Sequence, residues 1–266
     1  MNAAKFKTLI LEIDARGVAN LALNRPEKHN ALNREMIAEL RVATARLASD
    51  DSVRVVVLSG NGKSFCAGGD IGWFKDNVES TRAQRVAESS QLALMLNDLN
   101  ELPKPLIGRI QGAAYGGGVG MISVCDIAIG VDEARFGLTE VRLGLIPANI
   151  SPHVVNRIGV ANSRATMLSG ALFDANRAVG YGLLNEVTSA DGLDTRVGEV
   201  VADHLEAALG AVAETKRLIA YVSTHDMADN MIYTADRLAD AWETPEGETG
   251  IKSFLRKTSP PWRSGK

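Results

Sequence analysis

Apolar positions in the first fifty residues follow a strand period and then a helical period. Residues 8–14 ("TLILEID") and 18–24 ("VANLALN") are short apolar runs on either side of a turn-forming segment at 15–17. This pattern predicts two strands joined by a tight turn. Residues 31–48 instead carry apolar side chains at the spacing of one helical face. These are Leu32, Met36, Ile37, Leu40 and Leu47.

The middle of the chain alternates between strand-like and helical segments. Three short apolar runs predict buried strands, namely 54–60 ("RVVVLSG"), 106–112 ("LIGRIQG") and 125–131 ("CDIAIGV"). Residues 88–105 predict a helix that ends at Pro103 and Pro105, because proline cannot continue a helix. A glycine cluster and an apolar helix separate the last two strands. Short connections between alternating strands and helices indicate an α/β domain.

Strand-like runs become scarce in the last part of the chain. Asp174 is predicted as a helix N-cap, with Gly180 or Gly182 as the helix stop. Residues 192–257 have a mostly helical pattern. At 266 residues, the chain is long enough for one large domain or for a large and a small domain.

Composition and charge exclude several classes of protein. Hydrophobic residues make up 45% and charged residues 23%, and the net charge of -3 gives no reason to expect nucleic acid or an anionic membrane as partner. Two cysteines, Cys66 and Cys125, cannot form a disulfide framework and are expected to be reduced and packed. Neither a signal peptide nor a transmembrane segment is predicted. We therefore expect a soluble protein of the cytoplasm.

Several known catalytic and binding motifs are excluded because residues that they require are missing at the necessary positions. Residues 60–64 ("GNGKS") end like a phosphate-binding loop, but Val57 stands where the motif needs glycine. Cys66 stands where a nucleophile elbow around Ser64 would need glycine. The glycine cluster does not complete a dinucleotide fingerprint, and the four histidines have no zinc-like spacing. The sequence predicts no metal site, no nicotinamide cofactor and no acyl-serine.

Two glycine-rich corners remain, each between a predicted strand and a predicted helix. They are residues 64–71 ("SFCAGGDI") and residues 110–130, where Gly116, Gly117, Gly118 and Gly120 fall within five positions. A helix start exposes unpaired N–H groups at the positive end of its dipole. Two such N–H groups directed at one point would form an oxyanion hole for a thioester carbonyl.

Five blocks in this order resemble the enoyl-CoA hydratase/isomerase, or crotonase, superfamily. They are 23–32 ("LNRPEKHNAL"), 64–71, 112–130, 134–147 ("ARFGLTEVRLGLIP") and 169–187 ("SGALFDANRAVGYGLLNEV"). The resemblance implies an α/β fold with a crotonase-type ββα spiral core that holds the CoA and catalytic sites, residues 1–195. It also implies a helical C-terminal oligomerisation subdomain, residues 196–266, and a homotrimer or a dimer of trimers.

The resemblance also implies roles for individual residues. Gly69 and Gly117 match the two oxyanion donors, and Glu140 matches an acid/base. An ion pair of Glu140 with Arg142 or another base is the structural alternative. Residues matching the CoA site are Arg25, Lys28, Ala67, Asp70, Ile71, Phe254 and Lys257, the last two often supplied by a neighbouring subunit. The basic ones would equally serve as solvated surface charges. CoA is part of the substrate, so no separate cofactor is expected.

One position departs from the hydratases of the family that use two glutamates. Gly120 stands where the first glutamate would be. Three interpretations follow: a hydratase in which Glu140 works alone, a 3-enoyl to 2-enoyl-CoA double-bond isomerase, or a non-catalytic acyl-CoA binding protein.

The blocks around the departing position favour the hydratase. The segments "GGGVGM" and "LTEVRLGLIPANISP" are similar to a bacterial branch that hydrates methylglutaconyl- or isohexenylglutaconyl-CoA, in leucine or acyclic terpene breakdown. The room at Gly120 would admit a branched acyl chain. Tyr115, Asn149 and Ser151 are further candidate pocket residues, and Asn149 and Ser151 are equally candidates for a helix cap.

Overall fold

Five of the six strands of the larger β-sheet come from the predicted apolar runs, and the sixth, at residues 186–188, was not predicted. The structure is a computed structural model and describes residues 6–263. The strands are β1 Leu9–Ile13, β2 Val18–Leu23, β3 Val55–Gly60, β4 Ser64–Cys66, β5 Leu106–Ile110, β6 Ala113–Tyr115, β7 Ile127–Val131, β8 Arg135–Gly137, β9 Phe173–Asp174 and β10 Glu186–Thr188. The helices are α1 Arg34–Ser49, α2 Ile71–Glu79, α3 Arg82–Asn100, α4 Gly117–Ser123, α5 Ser151–Met167, α6 Ala175–Gly180, α7 Leu193–Leu205, α8 Leu209–Val222, α9 Met227–Glu243 and α10 Pro245–Arg256.

The order of the strands makes the chain spiral between two sheets. The larger sheet has the order β1-β2-β3-β5-β7-β10 and the smaller sheet the order β4-β6-β8-β9. In each of the successive pairs β3–β4, β5–β6 and β7–β8, the first strand joins the larger sheet and the second joins the smaller one. Helices α2 and α3 lead from β4 back to β5 in the larger sheet, and α4 leads from β6 back to β7. The predicted ββα spiral core is confirmed.

The core lies on both faces of the larger sheet. Residues 55–58 of β3 are buried without alternation, as predicted for a strand covered on both sides. Helix α1 buries Met36, Ile37 and Leu40, and α7 packs against β3, β5 and β7. Both cysteines are buried and free, and burial raises the pKa of each thiol to about 12.

Helix boundaries follow local capping chemistry. Helix α1 begins at Arg34 because the Asn33 side chain accepts a hydrogen bond from the Met36 amide at 2.9 Å. Leu32 therefore precedes the helix, and the prediction that it lies on the helical face is wrong. Instead it forms a parallel β-bridge with Gly69. The Asp174 cap is confirmed, since its carboxylate accepts from the Arg177 amide at 2.8 Å.

The last three helices pack chiefly on one another. Helices α8, α9 and α10 bury no residue completely. Lys216 of α8 ties them to the core through an ion pair with Asp126 at 2.7 Å. The predicted domain boundary at 195/196 lies within α7, whose apolar face belongs to the core, and the division into domains stays a prediction. Within residues 6–263, no helix is long and apolar enough to cross a membrane.

Candidate active site

A cavity of about 980 Å³ opens where the smaller sheet meets α2, α3 and the segment 139–150. Both glycine corners lie at its edge, because β4 and β6 are parallel neighbours and their carboxyl ends meet. A Cβ added to Gly68 would lie 3.1 Å from the Tyr115 carbonyl oxygen and 3.9 Å from Gly116 Cα. The two corners are therefore in direct contact.

Each corner presents a backbone amide without an acceptor. On one side of the first corner, the Leu32 amide donates to the Gly68 carbonyl at 2.7 Å and the Asp70 amide donates to the Leu32 carbonyl at 2.9 Å. Because backbone groups alternate in direction along an extended segment, the Gly69 amide points away from Leu32. Gly117 is the first residue of α4, where an amide has no intrahelical acceptor. Among residues 6–263 neither amide donates a hydrogen bond, and both glycines line the cavity.

Glu140 supplies the one carboxyl group among the described residues that line this cavity. It begins a 3-10 turn, Glu140–Leu143, directly after β8. Its Oε2 atom is buried and has no hydrogen-bond partner in the described part of the chain. Burial raises the pKa of this carboxyl, and a hydrogen bond with its own backbone opposes the rise only in part. Arg142 donates instead to the Ser169 carbonyl at 3.2 Å, so the ion-pair alternative is not observed.

The glycines of the second corner make room for particular neighbours. A Cβ on Gly116, whose φ is +48°, would lie 2.9 Å from Glu140 Oε1. A Cβ on Gly117 would lie 2.6 Å from Leu32 Cδ1, and one on Gly118 would lie 2.5 Å from the Cys66 carbonyl oxygen. The Glu140 carboxyl therefore lies against the backbone beside the Gly117 amide.

Gly120 does not line the cavity, contrary to the expectation from the sequence. A Cβ at this position would lie 2.6 Å from Ile150 Cγ2 and 3.0 Å from Ile150 Cβ. The buried Ile150 side chain lines the cavity and fills the space beside Gly120. Of the other predicted pocket residues, Tyr115 and Asn149 do line it. The Ser151 hydroxyl donates to the Ala148 carbonyl at 2.8 Å.

The residues matched to CoA divide into two groups. Ala67 and Ile71 line the cavity, and Ile71 is largely exposed at the start of α2. The Asp70 side chain caps α2 and pairs with Arg25 at 2.8 Å. Burial opposes ionisation of Asp70, but the hydrogen bonds from Arg25 and from the Gly72 amide outweigh it and lower its pKa. The Arg25 charge is thus already shared with a carboxylate, while Lys28 is exposed.

Phe254 and Lys257 are not brought to the cavity of their own chain. Phe254 is 78% exposed on α10, and Lys257 ends that helix in the left-handed conformation. Helix α10 contacts α8 and α9. Neither residue is among those that line the cavity.

Several cavity residues were missed from the sequence. Trp73 and Phe74 pack on Gly69, where an added Cβ would lie 3.0 Å from the Phe74 ring and 3.3 Å from Trp73 Cε3. The aromatic pair directly after the first corner was the available signal.

Buried Asn30 holds the loop before α1, since its amide nitrogen donates to the carbonyls of Asn61 and Ser64 at 2.9 and 3.0 Å. Nothing in the periodicity indicated that role.

Comparison with known proteins agrees with this geometry. The sequence family described as Enoyl-CoA hydratase/isomerase matches residues 14–265. The chain belongs to this family. The crotonyl-CoA hydratase of Syntrophomonas wolfei is 28% identical over 254 residues, which cover 95% of this chain and 96% of the relative.

Solved structures of the family superimpose over nearly the whole chain. An enoyl-CoA hydratase from Shewanella pealeana matches with a TM-score of 0.94 at 32% identity, covering 97% of both chains. Pseudomonas aeruginosa AtuE matches with a TM-score of 0.92 at 35% identity, covering 97% of this chain and 100% of its own. The predicted superfamily and fold are confirmed, and the chain is an enzyme of the enoyl-CoA hydratase/isomerase type. The branch within the family stays a prediction.

Proposed function

We propose that this enzyme adds water across the double bond of a 2-enoyl-CoA thioester. The observation that carries the proposal is the meeting of three groups in one cavity: two backbone amides without acceptors, at Gly69 and Gly117, and the buried, unpartnered carboxyl of Glu140. Amides held in place stabilise an oxyanion that develops in the transition state, and removing one such donor costs about a hundredfold or more in rate.

In the proposed reaction, the thioester oxygen accepts hydrogen bonds from both amides. Ionised Glu140 takes a proton from water as the water oxygen bonds to C3. The π electrons of the double bond move toward the carbonyl and leave an enolate oxygen on the two amides. Glu140 then returns the proton to C2, so the product has gained one water and the carboxylate is regenerated. A raised pKa suits a group that must both take and give a proton.

We further propose a branched or glutaconyl-type acyl group, with CoA entering beside the start of α2. Most side chains lining the cavity are apolar, which fits an aliphatic acyl chain. Ala67, Asp70 and Ile71 would contact the adenine end of CoA, and Arg25 and Lys28 would face its phosphates. CoA belongs to the substrate, and the mechanism needs no other cofactor.

The test is a comparison of three thioesters with the purified enzyme. A 2-enoyl-CoA, a 3-enoyl-CoA and 3-methylglutaconyl-CoA are followed by loss of thioester conjugation and by product mass. We expect the first and third to gain one water. Binding of all three without any change of mass would contradict the proposal.

A double-bond isomerase is the second candidate, and one observation favours it. Glu140 is the one carboxyl group among the described residues lining the cavity, and moving a double bond from the 3- to the 2-position needs only one group that takes and returns a proton. Rearrangement of the 3-enoyl-CoA at constant mass, without hydration of the 2-enoyl-CoA, would select this function.

We also propose assembly into a homotrimer or a dimer of trimers through the helical tail. Helix α9 exposes Met227, Met231, Leu238 and Trp242, a spacing that places these apolar side chains on one face. Exposed apolar faces of this kind mark interaction surfaces. In the assembly, Phe254 and Lys257 would reach the CoA of a neighbouring subunit.

A further inference from the structure

Only two of the described residues that line the cavity carry a charge. One is Glu140, which the proposed reaction uses. The other is Arg85, in the first turns of α3, which the reaction does not use. An arginine that faces a largely apolar cavity is a binding group for an anion, because its planar donors match a carboxylate or a phosphate.

The guanidinium of Arg85 is held in place without being neutralised. Its Nε donates to the Asn77 carbonyl at 2.7 Å, and its Nη2 donates to the Val78 carbonyl at 2.9 Å. Among residues 6–263, its Nη1 has no acceptor and no carboxylate pairs with it. Nearby Arg34, in contrast, pairs with both Asp76 and Glu88. Arg85 is therefore oriented by neutral carbonyls and keeps a donor for a ligand.

The neighbours of Arg85 grade from polar to apolar. Ser89 and Leu92 follow on the same side of α3, and both line the cavity. Leu96, one turn further, is buried and would lie 3.5 Å from a Cβ on Gly120. Arg85 and Ser89 thus form the polar end of this row of side chains, and that end lies farthest from the protein interior.

Helix α2 separates Arg85 from the proposed position of CoA. The nucleotide would lie at the start of α2, beside Asp70 and Ile71, whereas Arg85 binds carbonyls at the end of the same helix. Eight residues of α-helix span about 12 Å. Trp73 packs on Gly69, and Asn77 lies one turn beyond it, about 6 Å along the axis. With the nucleotide in the proposed position, the end of α2 beside Arg85 is left for the acyl chain.

We propose that Arg85, with Ser89, binds a second carboxylate at the far end of the acyl chain, so that the preferred substrates are CoA monothioesters of dicarboxylic acids. This inference rests on the proposed function for the position of the thioester. Arg85 is solvent-exposed where it lines the cavity, and its oriented guanidinium can donate a charge-assisted hydrogen bond, which is stronger than a neutral one. The cation then selects chains that end in an anion over chains that end in a methyl group.

The experiment measures binding of two saturated thioesters that differ only in their far end, suberyl-CoA and octanoyl-CoA, by calorimetry. We expect the wild type to prefer suberyl-CoA. Arg85→Gln should weaken the binding of suberyl-CoA by about tenfold to a hundredfold while changing the affinity for octanoyl-CoA by less than about twofold. Arg85→Lys should keep part of the preference. Arg82→Gln, which removes a charge from the same helix outside the cavity lining, is the matched control and should change neither.

Three results would overturn the assignment. Equal affinity of the wild type for both thioesters would show no anion site. An equal loss for both in Arg85→Gln would show that Arg85 only supports α2. A matching loss of free CoA affinity would identify the phosphates as its ligand. Suberyl-CoA and octanoyl-CoA are saturated and bind without turnover. A failure to hydrate 2-enoyl-CoA would therefore contradict the proposed function without changing the outcome of this binding experiment.

Discussion

At the residue scale, the glycines of the second corner bring parts of the protein itself into close contact. The space beside Gly116 belongs to the Glu140 carboxyl, and the space beside Gly118 belongs to the Cys66 backbone. Only Gly117 combines a missing side chain with a free amide at the cavity. Gly120, two residues beyond Gly118, packs against Ile150, which limits the side chains that position 120 can accept.

Gly120→Ala is expected to lower the free energy of unfolding by about 1–3 kcal/mol, because the new methyl group would overlap Ile150 Cγ2. In the Ile150→Ala background the same change should cost less, since that Cγ2 atom is absent. Denaturant unfolding of the four proteins of this cycle measures the coupling. Gly198→Ala in α7 is the control, because nothing lies within 4 Å of its added Cβ, and it should stabilise by about 0.5–1 kcal/mol. Equal costs in both backgrounds would contradict the contact.

Glu140→Gln is expected to lower kcat by about a hundredfold or more while leaving acyl-CoA affinity within about twofold. A fully active variant would remove Glu140 from the mechanism. Steady-state rates and calorimetry make this measurement. The substitution keeps the shape of the side chain, so a large loss of affinity would indicate a binding role instead.

The same variant has a predicted effect on stability that depends on pH. Burial raises the pKa of Glu140 above its ordinary value of 4.5, so the unfolded chain releases this proton at a lower pH than the folded chain. The folded state therefore loses stability as pH rises from 4.5 through the folded-state pKa. Glu140→Gln should have a higher Tm than the wild type at neutral pH, and the difference should vanish below pH 4.5. Glu133→Gln, at an exposed position, is the control for the loss of a carboxylate.

At the element scale, polar contacts help to attach α2 to the rest of the molecule. It buries no residue completely, although Ile71, Trp73, Phe74 and Asn77 all line the cavity. The Glu88 carboxylate of α3 accepts from Trp73 Nε1 at 2.8 Å and from Asn77 Nδ2 at 3.3 Å. Arg34 pairs with Glu88 from the other side. One carboxylate thus joins three elements around the cavity.

Glu88→Ala is expected to speed amide hydrogen exchange in residues 71–79 by about tenfold, because α2 loses the acceptor shared by Trp73 and Asn77. Since α2 lines the cavity, KM should rise several-fold with less effect on kcat. Exchange mass spectrometry and steady-state kinetics check both outcomes. Glu79→Ala lies on the same helix and removes an exposed carboxylate without a partner among residues 6–263, so it should change neither. Unchanged exchange in Glu88→Ala would contradict this account of the attachment.

At the scale of the whole molecule, the helical tail leaves apolar surface that the chain does not cover by itself. Trp242 is 57% exposed and Met227 is 73% exposed on the same face of α9. The cavity, in contrast, receives no residue from α8, α9 or α10 among those described. We therefore place the proposed association surface on the tail and the proposed catalytic groups in the spiral core.

Trp242→Glu is expected to shift the enzyme from an oligomer to a monomer in light scattering, because the charge would be buried in the proposed interface. Unfolding of the monomer should be little affected, since the side chain is exposed within its own chain. If Phe254 and Lys257 act on a neighbouring subunit, CoA affinity should fall with dissociation. Asp236→Lys, on another side of α9, is the control. A wild type that is already monomeric would contradict the assembly.

Local sequence patterns were sufficient to predict the strands and helices whose own residues form an apolar run or repeat with a helical period. Five strands of the larger sheet, β1, β2, β3, β5 and β7, are mostly aliphatic runs, and the tail helices have helical periodicity over many residues. The two glycine corners and Glu140 could be found because their residue types stand at positions that match the family. These features depend on neighbours within a few positions along the chain.

Only the tertiary structure decided which distant residues meet. Strands β4, β6 and β8 have three residues each, too few for a periodic signal, and exist because each one pairs with another. The same holds for Ile150 beside Gly120, for Asp70 paired with Arg25, and for Arg85 at the cavity. The sequence determined which groups were available for chemistry, whereas the path of the chain between the two sheets determined their partners. Contacts between residues far apart in sequence arise from that path and leave no mark on local periodicity.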